Sequence, residues 1–249
     1  YDLDSNEVID LIGGIEDLKN GIVRTVGSAD ERFGEDKLRI LRAIRFAGRF
    51  GSELDPSVDA ALRKNSSLEG VSGERIRDEF LKGIKSAKSV KHFLELIQRY
   101  NLFQWIFGPL VVKEKSMQSL DLIEERDAIV LLAYLLSDND IDALKTVLNS
   151  LKYSSTEISQ ICFLEKLKKL NVDNAVILKK SQGSSEVSDE QIINFGNRMG
   201  LSSQLLNAFV NFKFTVNSQD LMAAGFSGKE LGDEKNRLET ENFKSLLNQ

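Results

Sequence analysis

ERFGEDKLRILRAIRFAGRFG, residues Glu31 to Gly51, is the stretch on which the reading of this chain turns. Wound as one α-helix at about 100° per residue, it places Arg39, Arg42, Arg45 and Arg49 within an arc of roughly 120°. Glu35 and Asp36 stand at its entrance, and Ile40, Leu41 and Ile44 fall on another side, where a core can take them. A solvated charged face ordinarily mixes lysine with glutamate. This one is almost purely arginine, the side chain suited to planar, bidentate recognition. Guanidiniums repeated at i, i+3 and i+6 repel one another, a crowding that makes sense when an anion arrives between them.

Upstream lies GGIEDLKNGIVRTVG, Gly13 to Gly27. Gly13 and Gly14 read as a tight turn that relieves the backbone, followed by Asp17 and Leu18 in a connector. Ile22 to Val26 is a short apolar run with Arg24 inside it, and Ser28 or Asp30 is placed to cap the helix that follows. The first twelve residues alternate as strand, polar turn at Asp4-Ser5-Asn6, and strand. An isolated hairpin is marginal in water, so this one is expected to be the remnant of a larger sheet. The chain also begins without an initiator methionine, and the expectation is that it lacks its N-terminal portion.

Downstream, Leu54-Asp55-Pro56 starts a helix with proline in its first turn. Ser72 caps another that runs through Glu74, Arg75, Ile76, Glu79 and Phe80. Ser89 to Leu102 is amphipathic and is closed by FQWIFGP, in which Trp105 is expected to anchor a core. Helical spacing continues over Leu120–Leu136, Ile141–Leu151, Thr156–Leu170, Asp173–Lys180, Asp189–Met199 and Ser202–Phe214. Asp138, Asp140 and Asp142 imitate a calcium loop, but Ala143 stands where that loop needs glycine and Asn149 where it needs glutamate. They are better read as a polar turn capping the next helix. Ser181-Gln182-Gly183-Ser184-Ser185 is the most linker-like segment.

Both upstream patterns together carry a resemblance. Asp10, Gly13, Gly14, Asp17 and Leu18 match D-x-x-G-G-x-x-D-L, and Glu35, Asp36 and Arg39 match E-D-x-x-R, continued by Arg42, Arg45 and Phe46. In this order and spacing they resemble the adjoining signatures of the class II (bacterial-type) tRNA nucleotidyltransferases, the CCA-adding enzymes and the bacterial poly(A) polymerases related to them. The resemblance implies a mainly α fold with helical neck, body and tail domains, preceded by the short β-hairpin remnant of an α/β nucleotidyltransferase head. Boundaries are expected at residues 1–27 for head remnant and connector, 28–110 for the neck, 111–185 for the body and 186–249 for the tail.

The implied activity is selection of CTP and ATP by a protein template, with binding of the tRNA 3′ end. Cytosine and adenine each present an amino donor beside a ring-nitrogen acceptor, so a carboxylate next to a guanidinium complements both. Uracil and guanine would leave buried polar groups unpaired, which costs several kcal/mol. Asp36 is thus assigned to accept from the amino group and Arg39 to donate to the ring nitrogen, with Glu35 beside them. Arg42 and Arg45 are assigned to the triphosphate and the helix geometry.

Asp10, Gly13, Gly14, Asp17, Glu74 and Glu79 are expected to support the site, with Glu74 or Glu79 bracing an arginine. Lys166, Lys168, Lys169, Lys179 and Lys180 are either a solvated face or sequence-blind tRNA contacts. Catalytic carboxylates and their Mg2+ are expected outside this chain, in a head that a separate chain would supply if the enzyme is split. The chain alone is therefore expected to hold nucleotides without transferring them. A poly(A)-, CC- or A-adding relative and a non-catalytic RNA-binding helical protein are the alternatives.

Composition is compatible with this. The 249 residues are 41% hydrophobic with two prolines, enough for one large or several small helical domains. A net charge of −5 argues against a general nucleic-acid binder and leaves local arginine density to do the binding. One cysteine, Cys162, permits no internal disulfide and suits a cytoplasmic protein. One histidine excludes a multi-histidine metal centre within the chain.

Overall fold

The computed structural model describes residues 3–4, 6–112 and 126–247, and its regular structure is almost entirely helical. The chain divides into two units, Tyr1–Ala128 with Thr146–Tyr153, and Ile129–Lys145 with Ser154–Gln249. Ahead of residue 112 the elements are α1 (Gly14–Asn20), β1 (Ile22–Val23), α2 (Ala29–Glu35), α3 (Leu38–Phe50), β2 (Glu53–Leu54), α4 (Pro56–Lys64), α5 (Gly73–Ser86), α6 (Val90–Arg99) and α7 (Phe103–Phe107).

Helix α3 is the centre of this unit. Leu38, Ile40, Leu41, Ala43, Ile44 and Ala47 are all buried, and the helix packs on α5 and α6. Each large aliphatic side chain so buried contributes about 1.5–3 kcal/mol. Close approach depends on missing side chains: a Cβ at Gly83 would fall 2.1 Å from the Phe93 ring, and one at Gly73 only 2.3 Å from the Ser150 carbonyl oxygen. The Phe80 ring lies edge-on to Phe107 at 5.1 Å and tilted against Phe93 at 5.9 Å, closing the core.

Three expectations need correction here. The stretch Glu31 to Gly51 is not one helix: α2 ends at Glu35, Asp36 is extended (φ −148°, ψ 102°), and α3 starts at Leu38. The cause is local, since Asp36 Oδ1 accepts from the Leu38 N–H at 3.1 Å, a side-chain bond that competes with helix continuation. The short sheet is also elsewhere than expected. It pairs β1 with β2 in parallel, Ile22 opposite Glu53 and Val23 opposite Leu54. The described residues of the first twelve form turns, bends and a bridge at Glu7, and Val8, Ile9, Leu11 and Ile12 are exposed. Finally, Trp105 stands at the surface at 36% exposure, and Ile106 and Phe107 fill the core in its place.

The remaining helices, most of them in the second unit, are α8 (Ala128–Leu135), α9 (Ile141–Ser150), α10 (Ser155–Leu167), α11 (Ala175–Ser185), α12 (Asp189–Arg198), α13 (Ser203–Asn211), α14 (Ser218–Ala223) and α15 (Gly228–Leu247). Residues 120–125 of the helix expected over Leu120–Leu136 lie outside the described residues. Capping boxes start α10 at Ser154 and Glu157 and α12 at Ser188 and Gln191. Asp140 accepts from the N–H groups of Asp142 and Ala143, so the calcium-loop imitation is indeed a helix start.

The serine-rich segment Ser181–Ser185 is helical, not a linker. The hydroxyls of Ser181, Ser184 and Ser185 each donate to a carbonyl three residues back, at 2.8, 3.0 and 2.8 Å, and Ser185 is buried. In α15 the buried Glu239 accepts from the N–H groups of Thr215 and Val216 at 2.9 and 2.7 Å, tying the loop before α14 to that helix. No helix among the described residues is long and apolar enough to cross a membrane.

Candidate functional site

The entrance to the first unit is organised by Asp10. Its carboxylate accepts from the backbone N–H groups of Ile12, Gly14 and Ile15 at 3.2, 3.0 and 2.8 Å, fixing the start of α1. Those donors, Ile15 foremost, hold the carboxyl below its usual value. Gly13 precedes α1 at φ 77°, a conformation that glycine adopts without strain. Asp17, on α1, takes the Arg24 guanidinium in two bonds of 2.9 and 2.6 Å. The D-x-x-G-G-x-x-D pattern therefore sets the path of residues 22–26 and the stance of Arg24.

That path forms one wall of a cavity of about 280 Å3. Val23, Val26, Phe33, Ala43, Phe46 and Val58 give it an apolar lining, and Arg24, Arg32, Arg39 and Arg42 surround it. Glu35 accepts from Arg39 at 2.5 Å and from Arg32 at 3.0 Å, and both bonds hold its carboxyl below the ordinary range. Arg32 also donates from Nε to the Val26 carbonyl at 2.8 Å. The two arginines are thus held in place by one acid and the local backbone.

Deeper along α3, Glu79 of α5 is 5% exposed, accepts from Arg45 Nε at 2.7 Å and pairs with Arg42 Nε at 3.5 Å. Arg45 is withdrawn from water at 12% exposure, whereas Arg42 keeps 51%. Of the two acids expected to brace an arginine, Glu79 makes this contact and Glu74 lies exposed on α5. Arg45 also stacks over Phe46 at 4.2 Å, and Phe46 lies parallel to Phe50 at 6.1 Å.

Asp36 is not among the residues lining the cavity. Its carboxylate lies beside Arg75 of α5, at 3.0 Å from Oδ2 and 3.3 Å from Oδ1. Burial opposes ionisation there, but the Leu38 N–H and Arg75 together carry the Asp36 carboxyl below its ordinary value. Arg39 and Asp36 therefore have different partners, Glu35 for one and Arg75 for the other. The acid and the guanidine are thus not paired with one another, and each keeps hydrogen-bonding sites beyond those its neighbour takes. Arg24, Arg32 and Arg75 were not singled out from the sequence. The spacing of Arg24 and Arg32 across a loop and that of Arg75 on a different helix carry no periodic signal.

The second-unit lysines separate into two kinds. Lys168 is bonded to the buried Glu165 and to Asp138, and Lys179 donates to the Val210 carbonyl at 2.9 Å while lying over Phe209. Burial pushes the Lys179 ammonium down. Lys166, Lys169 and Lys180 are exposed, and Lys180 is in addition bonded to Asn236. Among the described residues no three His, Cys, Asp or Glu side chains gather as a metal site.

Residues 51–113 match the family model described as the probable RNA and SrmB-binding site of polymerase A. Over 96% of its length the chain is 31% identical to the CCA-adding enzyme of Ligilactobacillus salivarius, and it spans 63% of that relative. The chain is thus similar to the CCA-adding enzymes over nearly its whole length. Solved CCA-adding enzymes share its fold. The one from Thermotoga maritima, complexed with tRNA, superposes with a TM-score of 0.65 at 22% identity, over 96% of this chain and 66% of that one. The Bacillus stearothermophilus CCA-adding enzyme in complex with CTP superposes with a TM-score of 0.64 at 19% identity, over 96% and 64%.

Proposed function

We propose that this chain is the nucleotide-selecting and RNA-holding part of a CCA-adding tRNA nucleotidyltransferase. The observation that carries the reading is the placement of Asp36 and Arg39. Arg39 lines a cavity together with Arg24, Arg32 and Arg42, and Asp36, three residues before it, is bonded to Arg75 while Arg39 is bonded to Glu35. Apolar walls suit a base, and guanidiniums suit a triphosphate. Asp36 then accepts from the amino group of cytosine or adenine, and Arg39 donates to the adjacent ring nitrogen. The same pair meets a carbonyl and an N–H in uracil or guanine, where neither contact forms.

Arg42, half exposed and paired with Glu79 at 3.5 Å, is the most exposed of the four guanidiniums around the cavity and the one proposed to meet a phosphate. Arg45 serves the geometry of α3 through Glu79. Lys166, Lys169 and Lys180 are proposed as RNA-backbone contacts, whose contribution weakens with salt. Lys168 and Lys179 hold the fold, given their internal partners. The Mg2+ that such a transfer requires has no cluster of ligands among the described residues, and no step of this reading is routed through it.

The test is nucleotide binding and incorporation on tRNA lacking its 3′ end. CTP and ATP are expected to bind and UTP and GTP to be rejected, with growth of CCA when the transferring carboxylates are supplied. Long A-tails or partial ends identify a poly(A)-, CC- or A-adding enzyme instead. Absence of nucleotide binding with those carboxylates supplied defeats the reading and leaves an RNA-binding protein.

A further inference from the structure

We infer that Arg75 is a positioning residue for the base-reading acid: it fixes the direction in which the Asp36 carboxylate offers its remaining lone pair. The inference rests on the nucleotide-selecting reading of Asp36 and adds a residue to it.

The starting point is the break between α2 and α3. Asp36 is extended and belongs to neither helix, so helical packing does not set its side chain. Two contacts do so instead. The Leu38 N–H donates to Oδ1 at 3.1 Å, and Arg75 NH2 lies across both oxygens, at 3.3 Å from Oδ1 and 3.0 Å from Oδ2. An ionised carboxylate has about four lone-pair sites. Leu38 and Arg75 occupy both sites on Oδ1 and one on Oδ2. The site left on Oδ2 is the one an amino group can use. With Leu38 alone the carboxylate is held at Oδ1 only, and Oδ2 loses its anchor.

Arg75 is well placed for this duty. Its N–H is capped by Ser72 Oγ at 3.4 Å at the start of α5. Four residues on, and so on the same face of the helix, Glu79 takes Arg45 at 2.7 Å. One face of α5 thus sends a cation to the acid of α2–α3 and an anion to its arginines. Arg75 is 51% exposed and Asp36 28%, so as an ordinary surface ion pair the contact would matter little to stability. That separates a positioning role from a structural one.

The experiment compares dissociation constants for CTP, ATP, UTP and GTP in the parent protein, Asp36→Ala, Arg75→Ala, Arg75→Lys and the Asp36→Ala/Arg75→Ala double variant, with melting temperatures for each. Arg75→Ala is expected to lower the CTP-over-UTP preference about tenfold, the scale of one charge-assisted hydrogen bond. Its melting temperature should stay within about 4 °C of the parent. Arg75→Lys should recover part of the preference, and the double variant should be no less selective than Asp36→Ala. Retention of full preference in Arg75→Ala while Asp36→Ala loses it overturns the inference alone. Equal loss of all four nucleotides together with a large fall in melting temperature also overturns it. An unaltered preference in Asp36→Ala overturns the nucleotide-selecting reading itself, and this inference with it.

Discussion

Arg45 donates from Nε to Glu79 at 2.7 Å, and both side chains are withdrawn from water, at 12% and 5% exposure. The pair joins α3 to α5. Removing the acid strands a guanidinium that is largely withdrawn from water. Glu79→Ala is expected to cost about 3–5 kcal/mol in chemical denaturation. Glu79→Gln, which keeps an acceptor near Arg45, is expected to cost less.

Asp36 and Arg39 are expected to fail differently. Asp36→Ala should relax rejection of UTP, because the acceptor that uracil fails to satisfy is gone. Arg39→Ala should impair CTP and ATP alike, because one donor serves the same ring position in both bases. Each loss is expected at about 1.5–3 kcal/mol, roughly ten- to a hundredfold in affinity. Direct binding of the four nucleotides checks both, and a loss confined to ATP in Arg39→Ala would count against a shared donor.

The acids of the site stay ionised in mild acid. Asp36 and Asp10 are held below an ordinary value of 3.8, and Glu35 below 4.5. Groups depressed in the folded state stabilise it above their unfolded values, and that contribution is lost as pH falls through the lower folded values. Nucleotide preference should therefore be flat from neutrality down to about pH 5 and collapse only below about pH 4. Binding titrations across that range check the prediction; a mid-point near pH 6 would point to some other group.

Gly73 meets the backbone of the chain at Ser150 and Leu151, where an added Cβ would lie 2.3 Å from a carbonyl oxygen and 3.0 Å from Cα. Backbone yields less than a side-chain tip. Gly73→Ala is expected to destabilise by about 1–3 kcal/mol, read from the denaturation midpoint.

Much of this was legible in the residues. Helical spacing gave Ile40, Leu41 and Ile44 to the core, and all three are buried. The helix start at Pro56 and the cap at Ser72 lie where the residues place them. The break at Asp36 was hidden because the apolar periodicity runs past it, whereas a single side-chain bond to Leu38 decides the backbone. Ser181–Ser185 misled for a related reason. Serine reads as loop, yet each hydroxyl here is satisfied by a carbonyl one turn back and leaves the helix intact. Trp105 was assigned to the core on bulk alone, and its neighbours Ile106 and Phe107 took that place. The cavity itself could not be read from spacing, since Arg24, Arg32 and Arg39 converge from three separate segments.

The common face of α5 carries one further consequence, for inherited variation. Glu79 is buried and Arg75 is exposed, one helical turn apart. An exchange at position 79 lowers the amount of folded polypeptide a cell retains. Under the proposed reading, an exchange at position 75 leaves that amount unchanged and alters which letters are written. Two codons only four apart would thus give two unlike phenotypes, scarcity from one and misspelling from the other.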